Sequence, residues 1–322
     1  MTEIRFEHIS KTYDNAGEAS VRDVSLEVEQ GSFVVLLGPS GCGKTTLLKM
    51  VNRLHEPSAG IIYLDGVDIR EIPLTDLRRQ IGYVIQQIGL FPHMTVARNI
   101  SVVPELLGWK QDKIDARVDE LLSLINLEPE MFRDRYPAQL SGGQQQRIGL
   151  ARALAAAPGV MLMDEPFGAI DAINRETLQD EMLDLQQELK KTVLFVTHDV
   201  DEALKLADKI VIMQDGRVVQ YAPPCDLLTA PANDFVSSLL NADDRIRQLS
   251  MLQVGALMAP LHEENMLQNA PTLNFTDDMR TALSVMLRPG VTGAVVIHNG
   301  APAGWLSLQA VQSAGCRKGK EV

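Results

Sequence analysis

The 322-residue chain lacks any apolar run approaching the roughly 20 residues that cross a bilayer, and Met1–Arg5 lacks the apolar core of a signal peptide. It also lacks an excess of positive charge, since 30 Lys and Arg stand against 42 Asp and Glu, a net charge of −12. No sequence-wide basic field exists to hold nucleic acid. We therefore expect no nucleic-acid partner, and a role at a membrane only through docking to another subunit.

Cysteine is scarce. The three residues, Cys42, Cys225 and Cys316, are far apart and odd in number. This spacing matches no metal-ligand pattern and no disulfide framework, and it predicts free thiols in a reducing cytosol. The content of 45% hydrophobic and 22% charged residues is ordinary for a globular protein, and the length is sufficient for two domains.

What the sequence does contain is a repeated alternation of strand and helix patterns. The continuous apolar run Phe33–Leu37 is typical of a strand covered on both faces, and a helix is expected over residues 45–54. Further strands are predicted at residues 4–10, 24–28, 61–64, 81–85, 160–163, 192–196, 210–213 and 218–219, with helices at 175–191 and 234–252. This alternation predicts an α/β core with a largely parallel sheet.

A glycine-rich loop lies between the strand at Phe33–Leu37 and the following helix. The loop and the start of the helix comprise Gly38, Pro39, Ser40, Gly41, Cys42, Gly43, Lys44, Thr45 and Thr46. The glycines allow backbone N–H groups to close around phosphate oxygens, next to a helix N-terminus that favours negative charge. Lys44 would reach the β- and γ-phosphates, and the Thr45 hydroxyl would coordinate Mg²⁺.

Two acids, Asp164 and Glu165, follow the apolar strand at 160–163. Asp164 fits the carboxylate on the Mg²⁺ side of such a site, and Glu165 is placed to act as the general base on a water. The alternative is a pair of strand-end acids that cap the next turn. His198 likewise follows a strand. It is a candidate for the same site, and the alternative is a polar side chain that only caps the strand end.

The segment Leu140–Gln144, with the sequence LSGGQ, lies between the glycine loop and the acid-tipped strand. With this order of motifs, the chain resembles the ATP-binding cassette (ABC) ATPases. The resemblance implies a P-loop cassette over residues 1–245, with a mixed sheet core and a helical subdomain at about 92–150. It also implies ATP and Mg²⁺ as cofactors.

The same resemblance assigns roles to single residues. Glu165 becomes the catalytic glutamate, and His198 contacts the γ-phosphate and positions the water. Asp171 lies in the loop that couples two nucleotide sites, and Gln86 is the Mg²⁺-sensing glutamine, although the neighbouring Gln87 leaves this register open by one. Tyr13 would stack on adenine, with core packing as the competing use.

The LSGGQ segment has a function only in a dimer. Ser141, Gly142, Gly143 and Gln144 of one copy would meet the ATP that is held by the glycine loop of the other, so that a two-fold dimer has two composite sites. The resemblance therefore implies a homodimer.

The segment at residues 79–95 is similar to the ATPases of osmoprotectant importers, which carry glycine betaine, choline or carnitine. Residues 49–54, 235–236 and 244–245 agree with that subgroup. The implied partners are transmembrane permease subunits, which would contact Gly89–Met94, and, indirectly, a solute-binding protein. The implied location is peripheral, on the cytoplasmic face of the cell (inner) membrane.

Two rival functions are open at this stage. The first is an ABC importer ATPase for another solute, such as an amino acid or an amine, because the ATPase motifs do not contact cargo. The second is a soluble ABC protein outside transport. The span from Lys44 to Ser141 is short and lacks sustained heptads, and this disfavours the second.

Residues 246–322 differ in composition and resemble a cystathionine-β-synthase (CBS) module, a small β-α-β-β-α unit. Only one copy is visible, and Ala310 stands where nucleotide-binding copies carry an Asp. We therefore expect either a regulatory domain or a dimer-stabilising appendage.

Overall fold

The computed structural model describes residues 3–13, 19–86, 89–168, 170, 172–261, 270–288 and 290–314. Among the functional assignments, Asp171 and the alternative glutamine Gln87 lie outside the described residues. The chain divides by its internal contacts into two compact units, residues 1–221 and 222–322. The sequence predicts that the ATPase cassette ends near residue 245, and this boundary stays a prediction. The predicted bounds of the helical subdomain, about 92–150, also stay a prediction.

The first unit contains a six-stranded sheet. Its strands in chain order are β3 (Phe33–Leu37), β6 (Ile81–Val84), β7 (Val160–Asp164), β8 (Thr192–Thr197), β9 (Lys209–Gln214) and β10 (Arg217–Ala222). Their spatial order is β10-β9-β3-β8-β7-β6, and β3, β6, β7, β8 and β9 pair in parallel. All five residues of β3 and all five of β7 are buried, which confirms the sequence prediction of doubly covered strands.

A second, antiparallel sheet lies at the N-terminal end of the chain. It comprises β1 (Ile4–Thr12), β2 (Ala19–Val28), β4 (Ala59–Leu64) and β5 (Val67–Asp68), in the order β2-β1-β4-β5. One apolar cluster joins the two sheets through Leu47 and Leu48 of helix α1 (Lys44–Val51), both fully buried. The mixed parallel and antiparallel sheets agree with the cassette architecture that the sequence resemblance implies.

The described residues of the first unit form seven further helices. They are α2 (Leu74–Arg79), α3 (Val96–Leu106), α4 (Gln111–Leu124), α5 (Pro129–Phe132), α6 (Gly142–Leu154), α7 (Ala172–Leu189) and α8 (Val200–Leu206), with one 3-10 turn at Pro137–Gln139. In α4 the buried residues Ile114, Val118, Leu121 and Leu122 form the apolar stripe that its periodicity predicts. No helix among the described residues is long and apolar enough to span a membrane.

The second unit begins with four short helices, α9 (Pro224–Thr229), α10 (Asp234–Leu240), α11 (Arg245–Ser250) and α12 (Val254–Leu257). One helix over residues 234–252 was expected, and this prediction was wrong. Asn241 ends α10 in the left-handed conformation, and Asp244 starts α11 as its N-cap by accepting two backbone hydrogen bonds.

The rest of the second unit contains a three-stranded sheet, in which β11 (Thr272–Asn274) pairs in parallel with β12 (Gly293–His298), and β12 pairs antiparallel with β13 (Ala301–Ser307). Helix α13 (Met279–Leu287) precedes β12, and α14 (Leu308–Ser313) follows β13. This order of elements is β-α-β-β-α, whereas the assignment to a CBS module stays a proposal.

One cysteine expectation was also wrong: Cys42 is free, but Cys225 is disulfide-bonded. Sequence spacing alone does not show which distant residues meet in space.

Candidate active site

At two positions the glycine loop lies so close to a neighbouring backbone carbonyl that no side chain would fit. A Cβ on Gly38 would lie 2.2 Å from the carbonyl oxygen of Met213, and one on Gly43 would lie 2.3 Å from that of Ser20. Gly43 also has a φ of 102°, which only glycine adopts at little cost, and it forms the N-cap of α1. The loop therefore presents backbone donors at a helix N-terminus.

Lys44 lies inside this loop. Its ammonium group donates to the carbonyl oxygens of Gly38 at 2.6 Å and Pro39 at 3.0 Å, and the residue is only 6% exposed. Cys42, also buried, has its Sγ 3.8 Å from the same ammonium, and burial raises the pKa of this thiol. The single positive charge of the loop is thus held against the carbonyl oxygens of the loop itself.

Thr45 and Asp164 meet across the site. The Thr45 hydroxyl donates to Asp164 Oδ1 at 2.8 Å, although 119 residues separate them in the chain. Asp164 is buried, and this burial raises its pKa although the hydrogen bond from Thr45 opposes the shift. A hydroxyl and a desolvated carboxylate at hydrogen-bond distance are the two protein ligands that a P-loop site offers to Mg²⁺. The residue pair predicted from the sequence therefore fits this ion.

Glu165 is the centre of a second group of side chains. Its carboxylate accepts from Gln86 Nε2 at 3.0 Å through Oε2, and His198 Nδ1 lies 3.3 Å from Oε1. The Glu165 backbone adopts a φ of 45° and donates its N–H to Val196 O, so that the residue is held in an uncommon conformation beside β8. Three residues that the sequence suggested separately are brought together.

This arrangement also changes the interpretation of Gln86. From the sequence, Gln86 was assigned to Mg²⁺ through the family resemblance. In the structure its amide donates to the carboxylate of Glu165, so that it is placed to orient this side chain as well.

The LSGGQ segment forms the start of helix α6. Ser141 is the N-cap: its Oγ accepts from Gln144 N at 3.3 Å, and Gln144 Oε1 accepts from Ser141 N at 3.1 Å, which is a capping box. A Cβ added to Gly142 would meet nothing within 4 Å, and one on Gly143 would meet only Leu178 at 3.8 Å. Packing among the described residues therefore does not require glycine at these two positions.

Tyr13 is half-buried and directly follows β1 of the antiparallel sheet. Its ring makes an edge-to-face contact with His55 at 5.7 Å between centroids, and Lys11 Nζ lies 5.1 Å from the ring centroid. The ring is thus held by neighbours and is not part of the buried core. Its proposed stacking on adenine stays a prediction.

Sequence reasoning missed one group of charged residues behind the site. Arg175 of α7 lies near Asp199 and Glu202 at the start of α8, and Glu202 is only 5% exposed. The available signal was an acid four residues after His198, among the apolar residues Ala203, Leu204 and Leu206 of the same helix.

Together, the strand, glycine loop and helix, the buried lysine and the hydroxyl–carboxylate pair define a P-loop nucleotide hydrolase. Comparison with known proteins narrows this class. Residues 21–168 match the family described as ABC transporter.

Relatives of known name extend over most of the chain. The carnitine transport ATP-binding protein OpuCA of Listeria monocytogenes is 49% identical over 300 residues, which are 92% of this chain and 72% of that protein. The glycine betaine uptake system ATP-binding protein YehX of Escherichia coli is 47% identical over 308 residues, 95% of this chain and 98% of that protein. A solved dimeric ATP-binding cassette, MJ0796 in a post-hydrolysis state with ADP and Pi, has a TM-score of 0.61 at 34% identity and covers 69% of this chain and 98% of its own.

These similarities place the chain plainly. It belongs to the ABC transporter family as an ATP-binding subunit, and its enzymatic activity is ATP hydrolysis coupled to transport.

Proposed function

We propose that this protein is the ATP-hydrolysing motor subunit of a binding-protein-dependent importer for quaternary-ammonium osmoprotectants. The observation that carries the motor role is the contact of Glu165 with both Gln86 and His198 next to the Thr45–Asp164 pair. The cargo class is supported by the two relatives, one of which is named for carnitine and the other for glycine betaine.

The proposed chemistry follows from the geometry. Glu165 accepts the proton of the attacking water, while Gln86 and His198 hold its carboxylate in one orientation. Lys44 would stabilise negative charge on the phosphates, and Thr45 and Asp164 would hold Mg²⁺, which when bound would supply positive charge against the phosphate oxygens. Every residue in this scheme lies within residues 1–221.

A second copy of the chain completes each ATP site in this proposal. The open space around Gly142 supports it, because glycine there leaves room for a ligand that approaches from outside the chain. The dimeric state of the MJ0796 cassette is consistent with the same arrangement. ATP would then lie between the glycine loop of one copy and Ser141, Gly142 and Gly143 of the other.

The proposed permease contact lies at Gly89–Met94. This loop is held in shape by Asn99, fully buried, whose side-chain amide exchanges hydrogen bonds with the backbone of Phe91 at 2.8 and 3.1 Å and also donates to Met94 O. Beside it lies a cleft of about 460 Å³ whose lining includes His93, Arg98, Glu105, Asp115, Arg133 and Tyr136. A preformed loop next to an open cleft suits a helix presented by a membrane subunit. We also propose that the protein lies on the cytoplasmic face of the membrane, bound to this membrane subunit.

For residues 246–322 of the second unit we propose a regulatory or dimer-stabilising role. Its β-α-β-β-α order supports a CBS-like module, and its own core around Leu273, Ala294 and Leu306 supports a separately packed domain.

The test of the cargo is uptake of labelled glycine betaine, choline and carnitine by cells with and without the gene, at low and high salt. The proposal expects the loss of uptake of at least one solute on deletion, restored by the wild type and not by Glu165→Gln. Unchanged uptake of all three, in a strain without other osmoprotectant importers, would refute the cargo class and leave the ATPase activity in place.

A further inference from the structure

A partly buried cluster of charged and polar side chains includes both chain neighbours of His198. It consists of Arg175 on α7, Thr197 at the end of β8, and Asp199 and Glu202 at the start of α8. The Arg175 guanidinium has Asp199 Oδ2 at 3.6 Å and Glu202 Oε1 at 3.9 Å, and its Nη2 donates to the carbonyl oxygen of Ile170 at 3.0 Å. One side chain therefore contacts two separate segments of the site.

The first segment carries Glu165. After β7 the chain turns through Gly168, whose N–H donates to Glu165 O at 3.2 Å, and then through Ile170, whose N–H donates to Phe167 O at 3.1 Å. Arg175 holds the end of this turn through the Ile170 carbonyl. Displacement of Arg175 would therefore release the turn that begins at Glu165.

The second segment carries His198. The hydroxyl of Thr197 donates to Glu202 Oε2 at 2.7 Å and accepts from Asp199 N at 3.0 Å. Both hydrogen bonds therefore join Thr197, which precedes His198 in the chain, to residues that follow it. Asp199 in turn caps α8 by accepting from Asp201 N and Glu202 N. The backbone at His198 is therefore fixed through Glu202, and Glu202 faces Arg175.

The pairing within the cluster is incomplete. Glu202 is 5% exposed, and Arg175 Nε is buried without a hydrogen-bond partner among the described residues. A separation of 3.9 Å gives attraction between the charges but not a hydrogen bond. Pairing the buried Glu202 carboxylate with a partly exposed guanidinium at this distance is a weak source of stability, because the desolvation of Glu202 offsets much of the attraction. Fold stability alone is therefore a poor explanation for the cluster.

The geometry points to Arg175 as a positioning residue for ATP hydrolysis: through Ile170 and Glu202 it holds Glu165 and His198 at their mutual distance of 3.3 Å. This inference rests on the proposed roles of Glu165 and His198. Catalytic groups must be placed within a fraction of an ångström, and a misplacement of 1 Å can lower a rate about 100-fold. Nucleotide affinity is expected to be set mainly at the glycine loop, and the cluster residues are not part of that loop.

The test compares Arg175→Met with a matched control, Lys205→Met. Lys205 forms another ion pair between α8 and α7, with Asp180 at 2.6 Å, and its side chain is 30% exposed against 32% for Arg175. We expect Arg175→Met to lower kcat by about 10- to 100-fold, with the Kd for a non-hydrolysable ATP analogue unchanged within about twofold. Lys205→Met should keep the wild-type kcat. Equal kcat values for Arg175→Met and the wild type, or equal losses in both variants that follow their melting temperatures, would overturn the inference.

A second pair of variants tests the cluster without removing a charge. Thr197→Val has the same shape but loses both hydrogen bonds, whereas Thr197→Ser retains them. We expect Thr197→Val to lower kcat and Thr197→Ser to restore most of it at unchanged analogue affinity. Wild-type turnover by Thr197→Val would contradict the inference, even if Arg175→Met did not fold.

A third measurement is the double-mutant cycle of Arg175→Met with Glu202→Gln, which should show non-additive losses in kcat. Additive losses would count against a common pathway. Wild-type and Glu165→Gln proteins are assayed in parallel: a wild type without ATPase activity refutes the proposed function itself, whereas an active wild type with an equally active Arg175→Met refutes only the positioning role.

Discussion

Gly142→Ala separates the stability of the chain from the function of the LSGGQ segment. Gly142 is the first residue of α6, and an added Cβ would meet nothing within 4 Å. Alanine loses less conformational entropy on folding and has the higher helix propensity, so that the substitution should leave the free energy of unfolding unchanged or raise it by up to about 1 kcal/mol.

The same methyl group should be harmful in the proposed dimer. There it would occupy the space through which the γ-phosphate of the partner copy's ATP approaches the backbone N–H groups of α6. Loss of one preorganised donor to a developing anion costs about 100-fold in kcat. We therefore expect a variant with an equal or higher melting temperature, and with turnover lower by about that factor.

The assays are thermal unfolding of the nucleotide-free protein and steady-state phosphate release. Ser141→Ala is the control, because it removes the N-cap side chain of the same helix and should lower stability by about 1 kcal/mol as well as activity. The reasoning is refuted if Gly142→Ala destabilises the nucleotide-free chain, since the glycine would then serve the fold. Wild-type turnover of this variant would equally refute the role of the segment.

Three further predictions concern the glycine loop, the metal ligands and the buried acid. Lys44→Ala should lose nucleotide binding in calorimetric titration, because the variant has no ammonium inside the loop, and an unchanged affinity would contradict the phosphate-binding role. Asp164→Asn should raise the Mg²⁺ concentration needed for half-maximal hydrolysis by about tenfold or more, whereas an unchanged Mg²⁺ dependence would remove Asp164 from the ion. Burial raises the pKa of Glu202 above its ordinary 4.5, so the folded state holds the carboxyl proton of Glu202 more tightly than the unfolded state does. The free energy of unfolding should therefore fall as pH rises from about 4.5 through the raised pKa. Glu202→Gln does not titrate, so urea unfolding across this range should show a shallower pH dependence, and identical slopes would contradict the burial argument.

Much of the first unit is predictable from the sequence, because its signals are local. A continuous apolar run predicts β3 with its observed bounds, and the order of strand, glycines and lysine predicts the phosphate loop. The Asp215-Gly216 turn between β9 and β10 is equally local, since both residues adopt positive φ.

The contacts between distant residues were not predictable in the same way. The Thr45–Asp164 hydrogen bond joins residues 119 positions apart; the chemistry of the two motifs suggested that they share an ion, but no local pattern predicted their contact. The bond from Gln86 to Glu165 and the position of Arg175 behind His198 depend on how parallel strands bring their carboxyl ends to one edge. No periodicity in the sequence contains that information.

The break in the predicted helix at residues 234–252 has a different cause. Asn241 adopts the left-handed conformation, and asparagine is one of the few non-glycine residues that does so readily. The residue type is compatible with a helix end, but an asparagine alone does not show where a helix-prone stretch breaks.

The most direct test of the central claim is to follow oligomeric state and phosphate release of Glu165→Gln with ATP and Mg²⁺ present. Without a carboxylate at this position the general base is missing, while the glycine loop and the LSGGQ segment are intact. The account predicts a stable ATP-dependent dimer, seen by light scattering, with hydrolysis reduced by about 100-fold or more. A variant that turns over ATP at a near-normal rate, or that stays monomeric with saturating ATP, would contradict it.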